Sequence, residues 1–372
     1  MSKLVRESRL KPGSTVKGEQ TYTLGAMLAQ GGEGQIYRLD RIAGRVAKIY
    51  LHLPGEAQST KLNRMLKMRK ASLSNIAAWP DELLYVGSDL VGFIMPEISG
   101  ARPIHTLITP GDRLRLSPNA SFSTLVLVAS NIARAVTTFH QAGVIIGDIN
   151  GSNVLVLPDQ SVRIIDCDSC QVGPEKAMRC PVGMEEFLAP ELQGRKLAKI
   201  KRNRNHDAFP LAVMIYELLC MGRHPFAGND AIGLGQAIKR RRHTLRGWLG
   251  PRTLKVIGLP PHVFLPAPIV KLFRRAFGAS RWRSRPSALE WMNALDDLHA
   301  RLVRCEYNPA HAYSETALWC PWCTLEQRGR LSFFPPTPAN RRRPWRPESS
   351  HAFNQRIRYA YAYVCNPAKQ GL

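Results

Sequence analysis

The sequence predicts an α+β protein whose strands gather in the first hundred residues and whose long helices follow them. Three stretches carry that prediction. Residues 22–39 (YTLGAMLAQGGEGQIYRL) read as strand, glycine-rich turn and strand. Residues 122–142 place Leu125, Val128, Ile132, Val136 and Phe139 on one helical stripe, and Gly143 fits its stop. Residues 154–157 and 162–165 are two β-type runs separated by Pro158, Asp159 and Gln160, the pattern of a hairpin.

At 372 residues the chain has room for two or three domains or one large two-lobed unit. Lys+Arg 52 against Asp+Glu 28 leaves a net charge of +24, which favours polyanionic partners: nucleic acid, anionic membrane, acidic protein or nucleotide phosphate. The basic residues cluster at 195–204, 239–246 and 274–285, and again after Glu326. A solvated basic surface with a disordered tail explains them as well as a nucleic-acid site does, and no nucleic-acid-binding motif accompanies them. The first fifteen residues lack the apolar core of a signal peptide. The longest apolar stretches, 125–136 and 208–221, are interrupted by polar residues and too short to span a bilayer. The expectation is a cytoplasmic protein with no membrane span. Its eight cysteines are then free thiols or metal ligands rather than a disulfide scaffold.

Taken in order, residues 1–20 are polar and basic and read as a flexible arm. The strands at 22–28 and 35–39 flank Gly31, Gly32 and Gly34, a turn whose backbone N–H groups can approach phosphate without side-chain obstruction. The strand at 44–51 sets Lys48 among apolar neighbours, where an ammonium needs an anionic partner or must snorkel to water. Residues 54–74 have helical spacing through Leu62, Met65 and Leu66, and 83–86 and 91–95 read as two further strands. After the helix at 122–142 comes the hairpin, flanked by Asp148 and Asn153 before it and Asp166 and Asp168 after it. A hairpin brings its outer ends together, so these hard oxygen donors gather at one edge and suit Mg²⁺ carrying a nucleotide. Residues 207–221 form a central apolar helix, and 288–302 an amphipathic one. His224, in a turn beside Pro225, reads as structural.

The order LAQGGEGQIY, VAK, Asp148–x4–Asn153, Asp166-Cys167-Asp168, Ala189-Pro190-Glu191, Asp207 heading a helix, and Arg285 resembles that of protein kinases over roughly residues 20–300. GDIN, IDCDS and GRHPF are similar to a bacterial serine/threonine protein-kinase-like branch found beside PP2C-type phosphatases and von Willebrand-type proteins, which the resemblance implies as partners. It further implies a two-lobed fold with a β-rich lobe at 21–98 and a mainly helical lobe at 99–303. Asp148 would accept the proton of a protein hydroxyl, and Asn153 and Asp166 would hold Mg²⁺. Lys48 would pair with the ATP phosphates under Gly31, Gly32, Gly34 and Ile36, and backbone groups of Glu97 and Ile98 would meet the adenine edge. Glu191 and Arg285 would form a buried ion pair, and Asp207 would hold the backbone of the catalytic loop.

Several positions depart from that pattern. Glu56 is the sole acid between Lys48 and Asp81 and sits early, before its helix is well under way; either it pairs with Lys48 through an altered helix start or another group orients Lys48, and the role is left unassigned. Ile146-Gly147 stands where kinases carry His-Arg, leaving no arginine to receive a phosphate, and Ser169 is the single hydroxyl between Asp166 and Glu191. Asn150 replaces the usual lysine. Asp168 replaces a glycine, either as a metal ligand or as a turn hydrogen bond. The same departures bring small-molecule phosphotransferases of the aminoglycoside-kinase type into view, and a nucleotide-binding pseudokinase scaffold is the third reading.

Beyond the second lobe, Cys305, His311, Cys320 and Cys323 have the donors and spacing of a structural Zn²⁺ site, within a module at 304–326. That module is too short to bury Trp319 and Trp322 unaided. Cys167, Cys170, Cys180, Cys220 and Cys365 read as free thiols. Residues 327–372 form a Pro/Arg-rich tail without period, except at 357–364.

Overall fold

The computed structural model describes residues 10–228, 232–245, 264–278, 284–317, 319–329, 333 and 334. The first lobe is a closed barrel with strand order β1-β2-β3-β4-β6-β5. Its strands are β1 Thr15–Lys17, β2 Thr21–Gln30, β3 Gly34–Leu39, β4 Ile42–Tyr50, β5 Glu82–Val86 and β6 Asp89–Pro96. β4 lies between β3 and β6, and its period of two separates its faces. Ala47 and Ile49 join Leu24, Tyr37, Val91 and Ile94 inside the barrel, whereas Tyr50 packs with Phe93 in the larger core shared with the second lobe. Lys48, one residue from Ala47 and Ile49, therefore projects toward the cleft between the lobes. β6 approaches it closely at Gly92, where a Cβ would run into the Lys48 carbonyl oxygen.

Residues 15–17 are not part of a loose arm. Val16 is buried in the barrel, and β1 pairs with both β2 and β5. One apolar residue between two polar ones is too short a pattern to read as a strand. The helix expected at 54–74 is two: α1 Glu56–Lys67 and α2 Ala71–Ser74, divided at Lys70, whose backbone is extended (φ −140°, ψ 149°).

A strand pair leads into the second lobe. β7 Arg102–Pro103 joins β8 Val154–Val156 and β9 Val162–Ile164 in a small sheet below the cleft. Two short helices, α3 His105–Ile108 and α4 Pro110–Leu116, precede α5 Phe122–Gln141, which starts at a capping box between Ser121 and Thr124. α6 Arg204–Leu219 begins on Asn203, which accepts from the N–H groups of Asn205 and His206. Almost every residue of α6 is buried, as befits the central helix of a lobe. α7 Leu234–Lys239, α8 Ala267–Gly278 and α9 Ala288–Ala300 follow it, with α8 packed on α6 and α9 packed along α5. Among the described residues, α5 alone is long and apolar enough to cross a membrane, and most of it is buried here.

The small module pairs β10 Leu302–Arg304 with β11 Ala312–Ser314 and ends in α10 Pro321–Gly329. It buries Trp322 by docking on the second lobe, with ring centroids 4.8 Å from Phe122 and 5.3 Å from Phe264. Phe333 and Phe334 complete that contact: the Arg113 guanidinium donates to the Phe333 carbonyl at 2.9 Å and lies 5.4 Å above the Phe334 ring. Cys365 and the periodic stretch at 357–364 lie outside the described residues.

Candidate active site

The side chains singled out as catalytic form two contacting pairs, Lys48 with Asp166 and Asp148 with Asn153. Lys48 reaches across 118 residues of sequence to Asp166, Nζ to Oδ1 3.2 Å. It lies closer still to Asp168, Nζ to Oδ1 2.8 Å. The other Asp168 oxygen accepts from the Tyr50 hydroxyl at 2.8 Å, and that hydroxyl accepts in turn from Gln58 on α1 at 3.3 Å. The two acids differ in access. The Asp166 side chain is 55% exposed and that of Asp168 is 2%. Burial would push the Lys48 ammonium down, but the carboxylates of Asp168 and Asp166 outweigh it and raise its pKa. Burial likewise works against the Asp168 anion, yet Lys48 and Tyr50 hold its carboxyl below the usual range. Asp166 itself adopts a left-handed backbone (φ 56°), which turns the chain into the single helical turn containing Cys167 and Asp168.

The catalytic loop is braced from three sides. Asp207, near the start of α6, accepts from the N–H groups of Ile146 (2.8 Å) and Gly147 (2.9 Å) and contacts His140 Nε2 at 3.0 Å. Asn150 is buried rather than facing the cleft: its Oδ1 accepts from the Ser152 and Asn153 N–H groups, and its Nδ2 donates to Asp148 Oδ1 at 3.0 Å. Asn153 Nδ2 donates to the Asp148 carbonyl at 3.1 Å and its carboxylate at 3.3 Å, which leaves Asn153 Oδ1 as the atom able to meet a metal. Gly147 has φ 80°, and a Cβ there would run into Cys180 and the Arg202 guanidinium. Arg202 occupies that space and donates to the carbonyls of Gly147 and Val182. Sequence reasoning missed Arg202 because it lies 55 residues away within a basic run that reads as surface.

The roof and hinge complete the cleft. Gly31, Gly32 and Glu33 link β2 to β3, and Ile36 pairs directly opposite Lys48, so both side chains share the cleft-facing side of the sheet. The Glu97 N–H donates to the Gly44 carbonyl at 2.9 Å. That donor is engaged with the barrel, which narrows the expected adenine contacts to the Glu97 carbonyl and the Ile98 backbone. Glu191 and Arg285 form the expected bidentate pair at 2.7 and 2.9 Å. The Asp166 carboxylate and Asn153 Oδ1 are hard oxygen donors of the kind Mg²⁺ takes, and the backbone beside Asp166 is tied to Asn153, whose carbonyl accepts from the Ile165 N–H at 3.0 Å.

A second cluster lies in the small module. The donor atoms of Cys305, His311, Cys320 and Cys323 are all buried and within 4.8 Å of one another. The Cys305 and Cys323 sulfurs lie 3.4 Å apart, and the sulfurs of Cys323 and Cys320 lie 3.4 and 3.6 Å from His311 Nδ1, a donor set and spacing that fit one tetrahedral Zn²⁺. His311 presents Nδ1 to the sulfurs and Nε2 to Glu326 at 3.2 Å, where a carboxylate would fix the ring were the imidazole to ligate a metal.

Residues 93–261 match the family model of the protein kinase domain. The chain is 35% identical over 330 residues to the protein kinase YegI of Escherichia coli, an alignment covering 86% of this chain and 51% of that protein. It is 25% identical over 237 residues to the serine/threonine-protein kinase PknA of Mycobacterium tuberculosis, covering 59% of this chain and 51% of that one. The chain thus spans about half the length of these curated relatives. The chain is thus similar to bacterial protein kinases, and a barrel lobe followed by a helical lobe is the two-lobed architecture that the matched domain implies.

Proposed function

We propose that this chain is a serine/threonine protein kinase that transfers the γ-phosphate of Mg²⁺-ATP to a protein hydroxyl. The observation that carries the reading is the convergence of Lys48 and Asp166 at 3.2 Å beside a loop in which Asn153 and Asn150 both hydrogen-bond the Asp148 carboxylate. When bound, Mg²⁺ supplies charge neutralisation at the transferring phosphoryl group. The chain's own residues do the rest. Lys48 binds the phosphates with its ammonium, and the glycine turn covers them with backbone N–H groups. The Asp148 carboxylate, held by Asn150 and Asn153, orients the acceptor hydroxyl and takes its proton. Asp166 and Asn153 Oδ1 are the groups that would hold the metal. The pairing of Glu191 with Arg285, and Asp207 beneath the loop, supports a protein acceptor by building the rigid lobe on which a peptide can dock. The restriction to serine and threonine draws on the similarity to PknA.

We also propose that Cys305, His311, Cys320 and Cys323 bind a structural Zn²⁺, because four ligands leave no open position. A PP2C-type phosphatase and a von Willebrand-type protein are proposed as partners on the sequence resemblance alone, and nucleic acid on charge alone.

Radiolabelled ATP with a panel of acceptor proteins tests the main reading. The wild type should yield phosphoserine or phosphothreonine, and Asp148→Ala should reduce transfer by about 10²–10⁴-fold. Equal transfer by both, or none by the wild type, overturns it. Turnover that depends on a metabolite selects a small-molecule acceptor, and nucleotide binding without turnover selects a scaffold.

A further inference from the structure

Helix α1 carries cations where it faces the cleft. Lys61 is buried and donates to the Arg179 carbonyl at 3.4 Å, and Arg64 donates to the Val172 carbonyl at 2.7 Å. Its inward positions 58, 61, 62 and 65 hold Gln, Lys, Leu and Met, so no carboxylate on this face can meet Lys48. The acid comes instead from the segment after β9. Both oxygens of Asp168 are engaged, one by Lys48 and one by Tyr50. A carboxylate buried to this degree, with both oxygens engaged within the protein, is not placed to ligate a metal in the cleft. Asp166, two residues away, is more than half exposed and is placed to do so.

We propose that Asp168 is the positioning residue for Lys48: its buried carboxylate holds the ammonium at the phosphate site, leaving Asp166 to the metal. α1 joins the arrangement without a charge, through Gln58 to Tyr50 to Asp168. The identity of the phosphate ligand rests on the kinase reading above; the Lys48–Asp168 pairing stands on geometry. It also accounts for the loss of glycine at 168, since the position must supply a carboxylate. Removing that carboxylate leaves a buried ammonium with one partly exposed partner, Asp166, and burial then favours the neutral amine.

Two measurements on the full chain test the assignment. The first is Mg²⁺-ATP affinity with its Mg²⁺ dependence. Asp168→Asn should weaken nucleotide binding about ten- to a hundredfold, the range for a lost charge-assisted hydrogen bond, with the half-saturating Mg²⁺ concentration unchanged. Asp166→Asn should raise the Mg²⁺ requirement. The second needs no nucleotide: the rate at which an amine-acylating reagent labels Lys48, read by peptide mass spectrometry. Asp168→Asn should speed labelling at least about tenfold, because the reagent attacks the neutral amine. Tyr50→Phe, which deletes a single hydrogen bond, should shift both readouts in the same direction by less and serves if Asp168→Asn does not fold. An Mg²⁺ requirement raised by Asp168→Asn as by Asp166→Asn would make Asp168 a metal ligand and overturn the proposal. So would a lowered melting temperature with unchanged Lys48 labelling. A wild type that binds no Mg²⁺-ATP removes the kinase reading, while Lys48 labelling still decides the role of Asp168.

Discussion

Asp207→Asn isolates the brace beneath the catalytic loop, because it preserves shape while removing charge and one acceptor. In the wild type Oδ2 accepts from Ile146 N–H and contacts His140, and Oδ1 accepts from Gly147 N–H. The best placement of an asparagine keeps its oxygen on Ile146 and His140. Its amide then faces the Gly147 N–H, donor against donor, at a buried site. A buried backbone N–H left without an acceptor costs about 1–3 kcal/mol, and the remaining bonds weaken as their acceptor becomes neutral. The sum is about 2–4 kcal/mol, or roughly 5–15 °C in melting temperature for a lobe of this size. Gly147 directly precedes Asp148, so the loop that carries the proposed proton acceptor shifts as well. Below the variant's transition, kcat should fall by at least about tenfold, with KM for ATP within about twofold because Lys48 and Asp166 sit on other elements. Scanning fluorimetry and initial rates measure both. A melting temperature within about 1 °C of wild type, with kcat unchanged, would show that Asp207 does not hold the loop.

Two further outcomes test other parts of the molecule. His224 donates through Nε2 to the Glu186 carbonyl and accepts through Nδ1 from the Phe226 N–H, so a second ring proton would oppose a backbone donor; burial lowers its pKa to about 4. The unfolded chain then binds the extra proton between about pH 6.5 and 4, so this stability is full above 6.5 and falls by about 3 kcal/mol as pH drops to 4. His224→Gln should lose that acid limb, and parallel stability–pH curves for the two proteins would contradict the assignment. Zinc removal tests the small module: elemental analysis should find one Zn²⁺ per chain, and a strong chelator or Cys320→Ser should expose Trp322. Because Trp322 packs against Phe122 at the start of α5, the helical lobe should melt lower in the same experiment. A protein free of zinc with an unchanged melting temperature rules the metal out.

Period and punctuation made much of the fold legible. α5, α6, α9 and the β8–β9 hairpin are long or sharply bounded, and their apolar positions repeat at one spacing. β1 was illegible because a three-residue strand has no repeat, and its stability comes from closing a barrel whose other edge lies some seventy residues away. Asp148, Asn153, Lys48 and Asp166 were legible because each belongs to a local motif. Their supports were not. Asn150 reads as a lost lysine until its side chain is seen folded under the loop, bonded to Asp148. Trp322 reads as a residue of a small module until its ring is found against Phe122 and Phe264.

The departures from the kinase pattern are better understood as exchanges of position than as losses. A glycine at 147 removes the side chain that would fill the space beside Cys180, and the Arg202 guanidinium enters it from another part of the chain. From there it donates to the carbonyls of Gly147 and Val182 at once, joining the catalytic loop to the segment that follows Asp166. Its acceptors are backbone carbonyls, so this tie requires no phosphate. Lys48 shows the same economy: the acid absent from the inward face of α1 reappears at 168 on that same segment, while α1 grips the segment through Lys61 and Arg64. Fixed charges within the chain thus join α1, the catalytic loop and the segment after β9. Ser169, the sole hydroxyl of that segment before Glu191, donates to the Asp166 carbonyl at 2.9 Å and contacts neither Arg202 nor Lys48 through a hydrogen bond.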